Sequence, residues 1–333
     1  MKRFGWLIIP WALFAVVVVG WLIYWNMVAS SAEQRIAAWV QQQRAGGAQV
    51  SYQHMARHGF PVLMRLEIDG ISYAPAHGGW RLETSRADLN IEMLNPQHVI
   101  VQPKAPIAIV HGDNAVTNVS AHEMIISVRT EGDALAQAGI EADDLRLDDP
   151  KQPGVLTVTK VVANVRPDPR AAGDYQLAFV ANGLALPRPV RSFESFGLNV
   201  PLLRANIVVG RGDALMQSAQ SDPLKPWLDA GGKLTFDALQ IQWGPLDVTG
   251  TGDGGLDDQR RLSGRLVLPI KHPAPVLAAI AEGPELDQSA RRALQLLAAG
   301  YVISHRQLTL HVEAQNGVMT LEGLRVRDLP PVY

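Results

Sequence analysis

The sequence predicts a mainly β protein: an N-terminal transmembrane helix, then an elongated, curved antiparallel β-sheet ectodomain with a few short helices near the C-terminus. Three observations carry that expectation. A charge-free apolar stretch of helical length stands at the front, residues from about 50 onward alternate with period two, and no long helices separate the alternating runs. Antiparallel sheets with one wet face produce this alternation. Parallel α/β sheets instead show continuous apolar strands with helices between them.

The front stretch, FGWLIIPWALFAVVVVGWLIYWNMV (4–28), exceeds the roughly twenty apolar residues that a bilayer core requires of a helix. Lys2 and Arg3 precede it and Glu33 is the next charge, which orients the N-terminus toward the cytoplasm. Trp6 and Trp11 near one end, and Trp21, Tyr24 and Trp25 near the other, stand where interfacial aromatic residues are expected. A cleaved signal peptide has an apolar region of only about 7–15 residues. Residues 1–30 are therefore expected to be a cytoplasmic stub and a retained anchor.

SSAEQRIAAWVQQQRAGG then predicts a short amphipathic helix over 31–47. Ser30 and Glu33 have capping-box spacing, Gly46-Gly47 forms the stop, and Ile36, Trp39 and Val40 make its apolar stripe. That stripe is expected to pack on the first strands, since the polar face lacks the basic residues of a surface-lying helix.

The β-rich ectodomain is expected over 48–333. In its first strand Val62, Met64, Leu66 and Ile68 alternate with Leu63, Arg65, Glu67 and Asp69; Leu89, Ile91 and Met93 alternate in the next. Similar runs follow at Tyr175–Phe179, Leu234–Phe236, Leu266–Leu268 and Leu308–Val312. Four runs carry an extra residue midway (Leu66–Tyr73, Leu156–Ala163, Leu234–Ile241 and Met319–Val326), which predicts β-bulges that curl the sheet. The glycine-rich TGTGDGGLDD (249–258) reads as a hairpin, and NGLALPRPVRSFESFGLNVP (182–201) as a possible division into lobes, about 48–185 and 200–333. APVLAAIAEG and LDQSARRALQLLAAG read as two helices closing an end or the open side of the sheet, the second capped at Gly300.

Composition excludes several chemistries. The chain has no cysteine, hence no disulfide, thiolate metal site or cysteine nucleophile. Net charge is near zero with scattered Lys and Arg, so no nucleic-acid partner is expected. His54 and His58 have the spacing of two zinc ligands on a helix, but Gly59 and Pro61 end any helix there and no acidic ligand follows. EADDLRLDD (141–149) has the carboxylates for calcium, yet Leu145 and Leu147 alternate as in a strand and turn the acids to solvent. No nucleophile elbow or triad order appears. No metal, cofactor or catalytic residue is expected, and the protein reads as a non-enzyme.

The anchor, the short helix and YQHMARHGFPVLMRLEIDGISY together resemble the start of the bacterial envelope family known as domain of unknown function 2125. WLDAGGKLTFDALQIQWGPLDVTGTGDGGLDDQRRLSGRLVL, with Trp243 to Leu246 matching that family's Trp-Gly-Pro-Leu, and the closing NGVMTLEGLRVRDLPPV resemble it as well. The family has no assigned activity, so the resemblance implies a location and no chemistry. A looser architectural likeness runs to the AsmA-type envelope proteins.

Together these readings lead to a single-pass bacterial inner-membrane protein, its C-terminal domain in the periplasm, touching the bilayer through residues 4–28. The expected job is non-enzymatic: binding or handling an apolar or lipid envelope molecule on the concave sheet face. Val62, Met64, Leu66, Leu89, Ile91, Met93, Phe236, Ile241 and Trp243 are the expected lining. If the late helices fill that face, a scaffold or interaction protein of the envelope is the alternative; an envelope hydrolase with an unrecognised site is the second.

Overall fold

The computed structural model describes residues 5–332 except 77, 133, 192, 217–223, 283–285, 287 and 305–307. Lys2 and Arg3, on which the expected orientation rests, lie outside the described residues. The chain is mainly β and antiparallel, with one long apolar N-terminal helix and short helices late in the sequence, as its periodicity predicts. It divides into two compact units, residues 1–119 with 124–135, and residues 120–123 with 136–333. The segment 182–201 lies inside the second.

The first unit opens with helix α1 (Gly5–Ala45), 41 residues long and hence about 60 Å. One helix thus runs through both the anchor and the segment read as a separate short helix. Ser30 and Glu33 lie within it, so neither caps an N-terminus.

Strands β1 (Gln49–Ser51) and β2 (His54–His58) both pair along β3 (Leu63–Ala74). β3 pairs with β4 (Trp80–Glu92), with Leu66 opposite Leu89 and Met64 opposite Ile91. β5 (Asn95–Pro103) and β6 (Ile107–His111) lie end to end along β4. β6 continues to β7 (Val116–Ser120), and β5 pairs with β8 (Glu123–Glu131). The alternation decides which face is which. Met64, Leu66 and Ile68 are buried on one side of β3, while Arg65, Glu67 and Asp69 point to the other. There Arg86 bonds Asp69 at 2.7 Å and lies 3.2 Å from Glu67, and Lys104 lies 3.2 Å from Asp88. Opposite charges in facing positions stabilise a wet sheet face modestly.

The second unit is an antiparallel meander whose lateral order follows the chain. It comprises β9 (Ala134–Asp148), β10 (Val155–Pro167), β11 (Tyr175–Ala185), β12 (Asn199–Gly210), β13 (Lys233–Trp243), β14 (Leu246–Leu256), β15 (Leu262–Ile270), β16 (Leu308–Gln315), β17 (Val318–Leu321) and β18 (Leu324–Asp328). Helices α2 (Asp213–Met216) and α3 (Lys225–Asp229) bridge β12 to β13. Trp227 of α3 lies directly over Gly232, where any side chain would collide with the indole, and its Nε1 donates to the Gly210 carbonyl at 2.7 Å. Helices α4 (Pro273–Ala281) and α5 (Gln288–Ser304) connect β15 to β16.

Three local expectations are corrected. Of the four predicted bulges, two shift register: the step between Phe236 and Leu239 against both neighbours, and the Met319–Thr320 step against β18, where Val326 is the extra residue. The step at Gly70 keeps its register with β4, and Glu322-Gly323 forms the tight turn joining β17 to β18. The glycine-rich run is strand β14, not a hairpin. Its glycines make room for neighbours: a side chain at Gly250 or Gly252 would strike Leu268 or Leu266 of β15, and one at Gly254 would press on Phe236. The turn comes later, where Asp257 accepts from the Arg261 backbone and side chain at 2.9 and 2.8 Å. Finally, α5 does not stop at Gly300 but continues to Ser304.

Candidate functional site: the N-terminal helix against the first strands

Along α1 the environment of the side chains changes at one point. Residues 11–20 are all exposed, which suits a helix surrounded by something other than its own protein. From Trp21 onward a stripe at helical spacing turns inward: Trp25, Val28, Ala29 and Ala32 are buried, Ile36 is half-buried and Val40 is buried. The first four pack with Met64, Leu66, Ile91 and Met93 in one cluster. Ala29 is completely buried, so the helix lies against the sheet where its side chain is smallest. Further along, Val40 packs with Ala48 and Val50, and Trp39 stacks on Tyr73 with centroids 6.2 Å apart. The stripe expected at Ile36, Trp39 and Val40 does face the first strands.

Polar contacts fix the helix at both ends of this contact. Trp21 Nε1 donates to the Pro61 carbonyl at 2.7 Å, and the Tyr24 hydroxyl donates to the Met93 carbonyl at 2.8 Å. Trp25 meets Phe60 edge to face at 5.8 Å. Glu33 accepts from both Nε and Nη2 of Arg57 on β2, and that hydrogen bonding, helped by the guanidinium charge, holds its carboxyl below the usual range. Arg44 donates to the Val50 carbonyl at 2.9 Å in the last turn.

The predicted groove residues therefore fall into three groups. Met64, Leu66, Ile91 and Met93 are buried and Leu89 is half-buried, all in the cluster covered by α1. Ile241 and Trp243 belong to the second unit's core, where α4 and α5 contribute Val276, Leu277, Ala290, Leu294 and Ala298. Trp243 also meets Phe193 and Phe196 at 5.6 and 5.2 Å and donates from Nε1 to the Gly197 carbonyl at 2.9 Å. Val62 and Phe236 join neither cluster. Val62 precedes β3 on a turn and is 78% exposed; Phe236 is half-buried beside Gly254, just before the bulge. Five of the nine thus share one cluster, two pack on another, and two join neither.

What α1 leaves open is a cleft of 420 Å³ between itself and the sheet, within the range of small-molecule sites. Tyr24, Val28, Ala32, Leu89, Ile91 and Val99 give it apolar walls, and Ser31, Arg35 and Gln97 supply polar groups.

The other candidate chemistries find no geometry. His54 and His58 sit four residues apart on strand β2, where that spacing means about 13 Å, too far to share an ion; His58 Nε2 instead lies 3.7 Å from Glu67. In the acidic run, Glu141 and Asp143 share one cation, Lys160. No group of three or more potential metal ligands occurs among the described residues. Sequence reasoning missed the helix–sheet cluster itself. Its signal was present in Trp25, Val28, Ala29, Ala32, Ile36 and Val40, but the front half of that stripe is hidden within a run that is apolar on every side.

A family model described as an uncharacterized protein conserved in bacteria (DUF2125) matches residues 25–330. No curated protein matches the chain. No solved structure matches it. The match begins at Trp25, a buried residue of α1, and extends through both β units; the chain belongs to the DUF2125 family of conserved bacterial proteins.

Proposed function

We propose that the chain is a single-pass inner-membrane protein, N-terminus in the cytoplasm and β units in the periplasm, that acts as a non-enzymatic scaffold or interaction protein of the envelope. Residues 5–24 cross the bilayer, and the rest of α1 serves as the spine of the first unit. One observation carries the reading: the apolar faces that a lipid carrier would leave open are filled by the protein's own helices, α1 in the first unit and α4 with α5 in the second. What remains available to a partner is the outside, such as the exposed Leu296 and Val302 on α5.

The cleft beside α1 favours a second reading, in which it holds an apolar chain of an envelope amphiphile with Arg35 near an anionic head. Photo-crosslinking in cells separates the two. Benzophenone side chains at Leu296, Asn206 and Thr235 of the full-length protein are expected to yield a discrete protein adduct from at least one position. Silence at all three, with lipid captured from position 91, would overturn the scaffold reading in favour of the second.

A further inference from the structure

Beside the outward-facing turns of α1, the first unit carries two loop tips whose apolar side chains are largely exposed. Phe60 is 49% exposed, Val62 78% and Leu94 89%. Single exposed apolar residues are ordinary. These are not independent, because both loops bond to the same stretch of one helix: Pro61 accepts from Trp21, and Met93, next to Leu94, accepts from Tyr24. On that stretch Leu22, Ile23 and Met27 are themselves exposed, and the exposed Asn26 turns its amide back to the Leu22 carbonyl at 3.0 Å. Gly59–Met64 and Met93–Pro96 contain no charge, which resumes at Arg57 and Arg65 on either side of the first and at Glu92 before the second. Gly59 has φ +91°, and a side chain there would strike the Leu63 carbonyl, so the tight turn that presents Phe60 and Val62 depends on glycine.

We propose that these two tips seat in the membrane interface around the anchor, giving the first unit a second, monotopic contact with the bilayer. The occupant follows from continuity. Trp21, Tyr24 and Trp25 are the aromatic side chains that would mark the interface of a span over 5–24, and the tips are bonded or stacked to those same three residues. Apolar side chains at that depth leave water without any further rearrangement. The contact is apolar in character: Arg57 before the first tip is paired with Glu33, and Arg65 after it points to the opposite sheet face and donates to Asn90 at 2.9 Å, so attraction to anionic lipid is not its source. The first unit is then held flush on the bilayer instead of swinging on a stalk. This inference rests on the reading of α1 as a membrane span.

The absence of cysteine makes the test direct. Val62→Cys, Leu94→Cys, Val17→Cys and Ser85→Cys variants of the full chain would each carry one environment-sensitive NBD label in phosphatidylcholine vesicles, with and without spin-labelled lipid. Val17 reports the span. Ser85 is exposed eight residues along β4 from Met93, about 26 Å away. Labels at 62 and 94 are expected to be quenched at least half as strongly as at 17, equally with or without added phosphatidylglycerol, while 85 is unaffected. Quenching at 17 with 62 and 94 behaving like 85 would overturn the tip contact alone. Quenching of the tips only when anionic lipid is present would overturn its apolar character, and no quenching at 17 would overturn the span together with this inference.

Discussion

Replacing Trp25 by Ala in the full-length chain separates a helix that merely tethers from one that is also core. Trp25 is 8% exposed, among Met64, Leu66, Ile91 and Met93. Truncating a buried tryptophan to alanine costs about 3–5 kcal/mol through lost transfer free energy and the cavity left behind. For a unit of this size that lowers Tm by on the order of 10 °C. The matched control is Trp11→Ala, the same truncation on the same helix at a site 71% exposed; it should leave Tm unchanged. The assay is thermal unfolding in detergent followed by near-ultraviolet circular dichroism. A fragment starting at residue 33 carries the argument further. It lacks Trp25, Val28, Ala29 and Ala32 together, so Met64 and Leu66 lose their cover, and it should bind ANS or aggregate. Equal Tm values for the two tryptophan variants, with a cooperative ANS-silent fragment, would refute the reasoning.

Other perturbations follow from the same contacts. Leu277→Ala, at a fully buried position in the second unit's core, should lower stability by about 2–5 kcal/mol in denaturant titration. Gly252→Val should unfold the second unit or prevent its accumulation, because the new side chain meets the Arg265 carbonyl and Leu266; soluble yield and circular dichroism report it. Glu33→Gln should weaken the docking of α1 by only about 0.2–1 kcal/mol, as its pairing with Arg57 is partly exposed. The pH dependence has a definite sign. Hydrogen bonds from Arg57 and Arg170 lower the pKa of Glu33 and Asp168 from their ordinary 4.5 and 3.8. Each contributes stability that is present above its unfolded pKa and lost as pH falls through the lowered folded value. Melting should be insensitive to these groups at neutral pH and fall in acid below pH 4, less steeply in a Glu33→Gln/Asp168→Asn variant.

Much of the architecture was legible because period two is a strong local signal. Met64, Leu66 and Ile91 turned inward and Arg65, Glu67 and Asp88 turned to the charged face as the alternation required. Two kinds of information were not local. Residues 21–32 are apolar or small on all sides, so no periodicity revealed which of them the sheet would cover. Gly250, Gly252 and Gly254 have turn chemistry by composition, yet lie in a strand because Leu266, Leu268 and Phe236 need their space, a requirement set by neighbours in the sheet. The candidate groove residues divide between two clusters for the same reason. Alternation says that Met64 and Ile241 are buried, but which element covers them is settled by packing: α1 for one, the core with α4 and α5 for the other.

Hydrogen–deuterium exchange on the full-length protein in nanodiscs would test most directly that α1 is both anchor and core. If the helix is continuous and packed, amides from Asn26 to Ala45 should be protected for as long as those of β3 and β4, and should lose protection together with them in Trp25→Ala. Exchange of residues 26–45 within seconds, beside slowly exchanging strands, would show a detached stalk and contradict the account.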